Sequence, residues 1–308
     1  MKAAICIITF RRPEGLKRLL DSLNRLEFRK LPAPDLQLVV VDNDPAGLAH
    51  AYCQRIRAEL KWPVTSCVEP RRGIAAARNT SFAHAPADAD FVAFVDDDEY
   101  VEPDWLERLL QVQQAHDADV VAGAVIAEYE SGIPDWVKKG GFFQRRRFHT
   151  GDRVKLCATC NVLVRASALR SLGTAFDEQF SLTGGEDTHL FLRLSMAGCK
   201  MMFANEAVVH ELVPVSRANV KWLAMRAYSG GSIRSRCEQA VSPSLASRCR
   251  RLARGVARMA QGVCLIVPGC FMGRVMLVRG LHWFFVGAGM IAGLAGASCE
   301  QYRQIHGK

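Results

Sequence analysis

The chain has 308 residues, is 49% hydrophobic and 23% charged, and carries a net charge of +9. That composition supports a sizeable core and excludes a disordered or collagen-like chain. Eleven irregularly spaced cysteines in a chain this long exclude a small disulfide-built scaffold and suggest a reducing compartment.

The opening "MKAAICIITF" has too short an apolar run for a signal peptide and is followed by "RRPEGLKRLL" without a small-residue cleavage site. Residues 3–9 predict a first strand. A helix follows with Leu16, Leu19, Leu20 and Leu23 on one face and Pro13 near its start. "LQLVVVDN" (36–43) predicts a second buried strand ending in an acid. A helix over 47–60, a short strand over 64–68 and a Gly-led helix over 71–85 come next. The strand at 91–95 runs into "DDDE". Continuous apolar strands alternating with helices predict an α/β fold with a parallel sheet. In such sheets ligands bind beyond the carboxyl ends of the strands, where Thr9, Asp42 and Asp96 fall. Residues 128–155 mix Gly, Pro, charge and aromatics without a period and predict a long loop that serves as a binding element or lid. A strand over 157–164, a helix over 186–198 and strand pieces near 200–203 and 207–210 close the body. Cys157 and Cys160 form a C-x-x-C without the second pair that zinc would need.

Asp96, Asp97, Asp98 and Glu99 repel one another and are costly to dehydrate. A helix starts soon after, and capping by Glu102 or Asp104 accounts for one or two acids but not for the three aspartates. A hard cation, Mg²⁺ or Mn²⁺, neutralises such a cluster and takes phosphate oxygens as its remaining ligands.

The ordered pieces "IITFRRPEGLKRLLDSL", "LVVVDND", "RRGIAAARN", "FVAFVDDDEYVEPDWLERLL", "CATCNVLVRASAL", "FDEQFSLTGGEDTHLFLRLSMAG" and "ANEAVVHELVPVSR" resemble the inverting glycosyltransferases of family 2. Those enzymes have the GT-A fold, a Rossmann-like nucleotide-binding sheet with helices on both faces. The last pieces look most like the branch that builds bacterial exopolysaccharides such as succinoglycan. The resemblance spans roughly residues 3–235. It implies transfer of a sugar from a nucleotide-diphosphate sugar, most often a UDP-sugar, to a lipid-linked or oligosaccharide acceptor. It also implies roles for residues. Thr9 and Arg11 line the nucleotide pocket, Asp42 accepts from the base, and Gly73 lets the backbone pass close to the nucleotide. Arg78 and Asn79 secure base or ribose, or pack the start of their helix. Asp96 and Asp98 form the D-x-D pair at the metal, with Asp97 between them on the nucleotide sugar. Asp187 is the catalytic base and Glu186 positions the acceptor or a backbone amide. His210 is a possible third metal ligand, or a polar residue closing the last strand.

Local chemistry is compatible with these roles. "TGGEDTHLFLRL" places Glu186 and Asp187 in the first helical turn, where the dipole favours acids for capping as much as for catalysis. Inverting transfer needs one base to take the acceptor's proton. Trp136, Phe142 and Phe143 offer flat surfaces for an acceptor's sugar rings, and Arg145 to Arg147 could meet a lipid diphosphate. Two other functions compete. A sugar-1-phosphate nucleotidyltransferase would need a Gly-rich loop where "ITFRRPEGL" stands, and a non-catalytic nucleotide-binding scaffold would not need both acidic signals.

From Arg217 onward there are 14 Lys/Arg against 2 Asp/Glu, whereas the first 216 residues are close to neutral. The chain thus divides into a catalytic region, 1–216, and a helical, basic, amphipathic region, 217–308. The latter has one apolar stretch broken by Pro268 and another, Leu281 to Ala297, free of charge. Arginines at 248, 250, 251, 254, 258, 274 and 279 flank both. This pattern predicts helices lying in or dipping into an anionic leaflet at the cytoplasmic face of the inner membrane; the alternative is a basic helical cap over the catalytic site or an oligomer contact. No nucleic-acid-binding signature is present.

Overall fold

A computed structural model describes residues 1–297. The last eleven residues of the predicted C-terminal region lie outside the described residues.

The chain begins with β1 (Lys2–Thr9), α1 (Pro13–Asn24), β2 (Asp35–Asp42) and α2 (Leu48–Ile56). Next come β3 (Val64–Val68), α3 (Ile74–Ala83), β4 (Phe91–Asp96), β5 (Glu99–Val101) and α4 (Trp105–His116). They are followed by β6 (Val120–Tyr129), α5 (Asp135–Gly140), β7 (Asn161–Arg165), α6 (Ala166–Arg170), α7 (Glu186–Met196) and β8 (Met201–Val213). Three long helices end the described chain: α8 (Val220–Val241), α9 (Leu245–Met272) and α10 (Arg274–Leu294).

The eight strands form one sheet in the order β3-β2-β1-β4-β7-β6-β8-β5. The expected parallel sheet holds only in part. β1, β2, β3 and β4 are parallel to one another, and β6 is parallel to β8, but β7 and β5 run antiparallel to their neighbours. A strand's apolar pattern records burial on both faces, and both kinds of strand give it when helices cover both faces. Alternate side chains of the strands feed two cores. Ile5, Ile7, Leu38 and Val40 pack with Leu16 and Leu20 of α1 and Trp105 and Leu109 of α4. Ala4, Cys6, Val39 and Phe94 pack with Ala75 of α3 and Leu190, Phe191 and Leu194 of α7.

The predicted loop at 128–155 is partly regular, because β6 continues to Tyr129 and α5 forms a short helix within it. The two predicted strand pieces near 200–210 are one strand, β8. Its pairing to β6 shifts register at Gly123/Ala124, so residues between Ala204 and Val208 bulge out of the ladder. Cys157 and Cys160 are buried free thiols.

Helices α9 and α10 pack at backbone contact. A Cβ on Gly287 would meet the Gly255 carbonyl oxygen at 2.4 Å, and one on Gly262 would meet the Phe284 nitrogen at 2.5 Å. Small residues permit such an approach in either lipid or water. α8 packs on α7 and on α10, so the C-terminal helices are joined to the body rather than trailing from it.

Candidate active site

Register brings the predicted strand ends together. Thr9 lies opposite Asp42, and Ile8 opposite Asp96, at the carboxyl edge of the sheet. A cavity of about 770 Å³ opens there. Thr9, Arg12, Gly73 and Asp96 to Asp98 line its body side, and Trp222, Arg226 and Arg234 of α8 line the other.

The aspartates coexist because guanidinium groups separate them. Arg12 lies 2.8 Å from Asp97 and 3.1 Å from Asp98, and Arg217 lies 3.4 Å from Asp98. Arg78 lies 2.9 Å from Asp96. Thr9 donates its hydroxyl to the other Asp97 oxygen at 2.7 Å, so both Asp97 oxygens are held. Burial raises the pKa of Asp97 and Arg12 opposes it; burial also raises Asp96 against the pull of Arg78. Glu99 is buried and accepts the Asp96 amide at 3.1 Å. Burial and the nearby Asp96 push its pKa well up, which favours a neutral acid.

Asp96 and Asp98 keep partial exposure, with side chains 34% and 23% accessible in the cavity. Two carboxylates beside a cavity able to take a diphosphate are the donor set that Mg²⁺ or Mn²⁺ uses with phosphate oxygens. Among the described residues no group of three or more His, Cys, Asp or Glu side chains is arranged to hold a metal ion. Phosphate and water would therefore complete the shell. His210 does not join this set. It stacks on Tyr100 with centroids 4.7 Å apart, with Nε2 2.7 Å from Glu102 and Nδ1 3.0 Å from Glu128. Strand alternation turns its neighbour Glu211 toward the cavity instead, 2.8 Å from Arg145 and 3.5 Å from Arg217.

The second acidic signal starts α7. Gly185, with φ of 102°, caps the helix and accepts a hydrogen bond from the Cys237 thiol of α8 at 3.2 Å. Glu186 is buried and ion-paired to Arg78. Burial raises its pKa, Arg78 opposes that, and its Oε2 has no hydrogen-bond partner among the described residues. Asp187 is the more open of the pair, with Oδ1 accepting from the Thr188 amide at 2.5 Å. Arg78 thus touches Asp96 with one nitrogen and Glu186 with another, linking the two acidic signals.

Other predicted residues are placed as follows. Gly73 lines the cavity with φ of 147°, and a Cβ there would meet Ser181 at 2.5 Å. Asp42 is buried with its oxygens accepting the amides of Asp44 at 3.0 Å and Ala49 at 2.8 Å, which secures the turn into α2. Its neighbour Asn43 is the one that lines the cavity. Asn79 exchanges two hydrogen bonds with the Phe176 backbone, at 2.7 and 3.0 Å, and so ties the middle of α3 to the segment before α7. Arg11 adopts a left-handed φ of 56° and turns to Asp44 at 2.6 Å, leaving Arg12 to face the aspartates.

Phe142 and Phe143 line the cavity, and Phe143 stacks on Trp222 with centroids 5.4 Å apart. Trp136 packs behind them, 5.8 Å from Phe142 and 4.6 Å beneath Arg274. Trp136→Ala is expected to lower stability by about 1–2 kcal/mol through lost burial, visible as a lower Tm, with little change in either substrate's KM. A raised acceptor KM at unchanged Tm would put Trp136 on the acceptor instead. Arg145 is bound inward to Glu211 and to Cys160 at 2.7 Å, Arg146 lies over Phe148, and Arg147 binds Asn205. This trio therefore does not present a joint anion site.

Sequence reasoning missed Arg12, Glu211, Arg217 and the α8 wall. The doubled arginine of "TFRRPEG" and the "HELVPVSR" run carried the signal, but which member of each faces the site depends on backbone turns that local pattern does not record.

A sheet of this order ending in paired carboxylates beside a cavity able to take a diphosphate, with a helix-start acid nearby, defines a GT-A glycosyltransferase. The chain belongs to glycosyl transferase family 2. The family described as "Glycosyl transferase family 2" matches residues 4–173, and "Glycosyl transferase family group 2" matches 91–295. The chain is 33% identical over 305 residues to the succinoglycan biosynthesis protein ExoM of Rhizobium meliloti (strain 1021), covering 97% of this chain and 94% of that protein. It is 30% identical over 233 residues to a pre-mycofactocin glycosyltransferase of Mycobacterium tuberculosis, covering 71% of this chain and 44% of that protein. Among solved structures, S. aureus TarS 1–349 in complex with UDP-GlcNAc matches with TM-score 0.52 and 16% identity, over 96% of this chain and 92% of that one. GalNAc-T7 with UDP, GalNAc and Mn²⁺ matches with TM-score 0.56 and 14% identity, over 76% of this chain and 51% of that one. These two likenesses concern the fold.

Proposed function

We propose that the protein transfers a sugar from a UDP-sugar to a hydroxyl of a lipid-linked glycan, with inversion at the anomeric carbon, during exopolysaccharide assembly at the cytoplasmic face of the plasma membrane. The observation that carries this reading is the Arg78 bridge, which joins Asp96 of β4, at the cavity, to Glu186 at the start of α7. Asp96 and Asp98 would hold Mg²⁺ or Mn²⁺, which when bound supplies positive charge to the leaving diphosphate. Arg12 and Arg217, already beside Asp98, add cationic donors at the same place. Asp187 takes the proton from the acceptor hydroxyl as its oxygen bonds to the anomeric carbon. The bond from that carbon to the diphosphate oxygen breaks, and UDP leaves with the electron pair. The UDP-GlcNAc of the TarS complex supports UDP as the carrier, and the similarity to ExoM supports polysaccharide assembly. The test is incubation with a panel of UDP-sugars, Mn²⁺ and a bacterial lipid extract. UDP release that depends on the extract is expected; pyrophosphate release instead would make the protein a nucleotidyltransferase.

The membrane part rests on α9. By length and composition α9 and α10 could each cross a bilayer, and only 17% and 28% of their apolar windows are buried against protein. Leu252, Val256, Val263, Val267 and Phe271 of α9 are exposed at helical spacing. Arg250 and Arg254 flank that stripe and are exposed as well. An apolar face flanked by cations suits insertion into an anionic leaflet, each cation adding about 1 kcal/mol. The protein is expected to sediment with phosphatidylglycerol vesicles, and Val263→Asp with Val267→Asp to release it. Retention in the supernatant at low salt would reassign the stripe to a protein contact.

A further inference from the structure

Asp98 has two guanidinium groups against a single carboxylate charge. Arg12 and Arg217 approach the same oxygen, Oδ2, at 3.1 and 3.4 Å. They are not held alike. Arg12 is fixed a second time by Asp97 at 2.8 Å. The ion pairs of Arg217 are both long, 3.4 Å to Asp98 through Nη2 and 3.5 Å to Glu211 through Nη1. Its side chain is 13% accessible, and its enclosed Nε has no hydrogen-bond partner among the described residues. A guanidinium offers five N–H donors in a fork that fits phosphate. Arg217 is therefore short of acceptors, and it lines a cavity able to take a diphosphate. Glu211, in contrast, is well fixed. Its strand is paired to β5 opposite Glu99, and its Oε2 lies 2.8 Å from Arg145. Arg145 is itself held by Cys160 at 2.7 Å. Arg217 follows in the short turn Val215–Arg217, between β8 and α8, so it sits between a fixed acid and an aspartate of the proposed metal pair.

A divalent cation on Asp98 repels a guanidinium at the same carboxylate. Arg217, the more loosely held of the two, is the one to give way. We infer that Arg217 competes with the cation for Asp98 and passes from that carboxylate to the donor's diphosphate, while Glu211 keeps it at the cavity wall. Arg217 thereby couples cation binding to donor binding, and Glu211 is a positioning residue that acts through it. The inference rests on the glycosyltransferase reading, which supplies the cation and the diphosphate. What it adds is the exchange of partners at Asp98.

The test is Mn²⁺ binding to the full chain, read from the electron paramagnetic resonance signal of free Mn²⁺, with and without saturating UDP. Arg217→Gln is expected to bind Mn²⁺ alone about fivefold or more tightly than the wild type. The factor by which UDP tightens Mn²⁺ should fall by about fivefold or more in the same variant, the scale of an ordinary coupling. These opposite signs separate the exchange from a loss of structure, which would weaken both. Arg217→Lys keeps the charge but cannot reach both acids at once, and should shift both quantities in the same directions if the glutamine variant folds poorly. Glu211→Gln leaves Arg217 to Asp98 and is expected to weaken Mn²⁺ binding, an effect that Arg217→Gln in the same chain should cancel. Arg234→Gln is the control for charge alone, because Arg234 lines the same cavity but is paired to Glu238 at 2.9 Å. It should change Mn²⁺ affinity by less than about twofold. Equal tightening by Arg234→Gln and Arg217→Gln would mean a general field effect and overturn the inference. Mn²⁺ binding that neither Arg217 substitution tightens would overturn it as well, with the proposed function left standing. Mn²⁺ bound by none of these proteins, even with UDP, would instead sink the metal part of the proposed function and the inference with it.

Discussion

Asp98→Ala is expected to abolish sugar transfer and remove the metal-dependent part of UDP binding, while circular dichroism and Tm stay close to those of the wild type. The fold should tolerate the change because Asp98 is partly exposed and its partners Arg12 and Arg217 have Asp97 and Glu211 as alternatives. The chemistry should not tolerate it, because Asp98 lines the cavity and, with Asp96, is one of the two aspartates proposed to share a cation with the diphosphate. The measurement is UDP titration with and without Mn²⁺, alongside turnover. Unchanged turnover, or full wild-type activity in excess EDTA, would remove the metal from the mechanism.

Asp187→Asn is expected to separate the proposed proton transfer from binding. The amide keeps the shape and can still face Thr188, so UDP affinity should hold within about twofold. Turnover should fall by roughly 10²–10⁴-fold, the usual contribution of a positioned general base. Asp187 is the more accessible candidate, half-buried at the helix start, whereas Glu186 is buried against Arg78. A fall of less than about tenfold would shift the base elsewhere, with Glu186 the next residue to test.

The sequence made the strand ends legible because a buried apolar run ends in a polar residue at Thr9, Asp42 and Asp96. Strand direction was not legible: Phe91 to Val95 and Asn161 to Arg165 are similar buried runs, yet they pair antiparallel. Nor was the facing of single residues. Arg11 and Arg12 are chemically identical neighbours, and a left-handed φ at Arg11 decides which one meets the aspartates. His210 and Glu211 differ by one step on a strand whose bulge sets the face of everything after it. The boundary drawn at residue 216 followed a change in composition, and composition does not record where a helix packs. α8 is basic and partly apolar because it faces both a cavity and the body.

Arg78 binds acids from two segments far apart in the sequence, and it is almost fully enclosed. A guanidinium so placed makes those segments partners in inheritance. Losing it would strand Glu186 in a poorly hydrated setting, at a cost of about 3–5 kcal/mol for a broken buried pair, and leave Asp96 without its cation at the cavity. Losing either acid would leave the cation half-compensated and free to swing toward the survivor. Changes at Asp96 and Glu186 should therefore be non-additive, the second loss hurting less than the first. Drift in one motif would select for matching drift in the other.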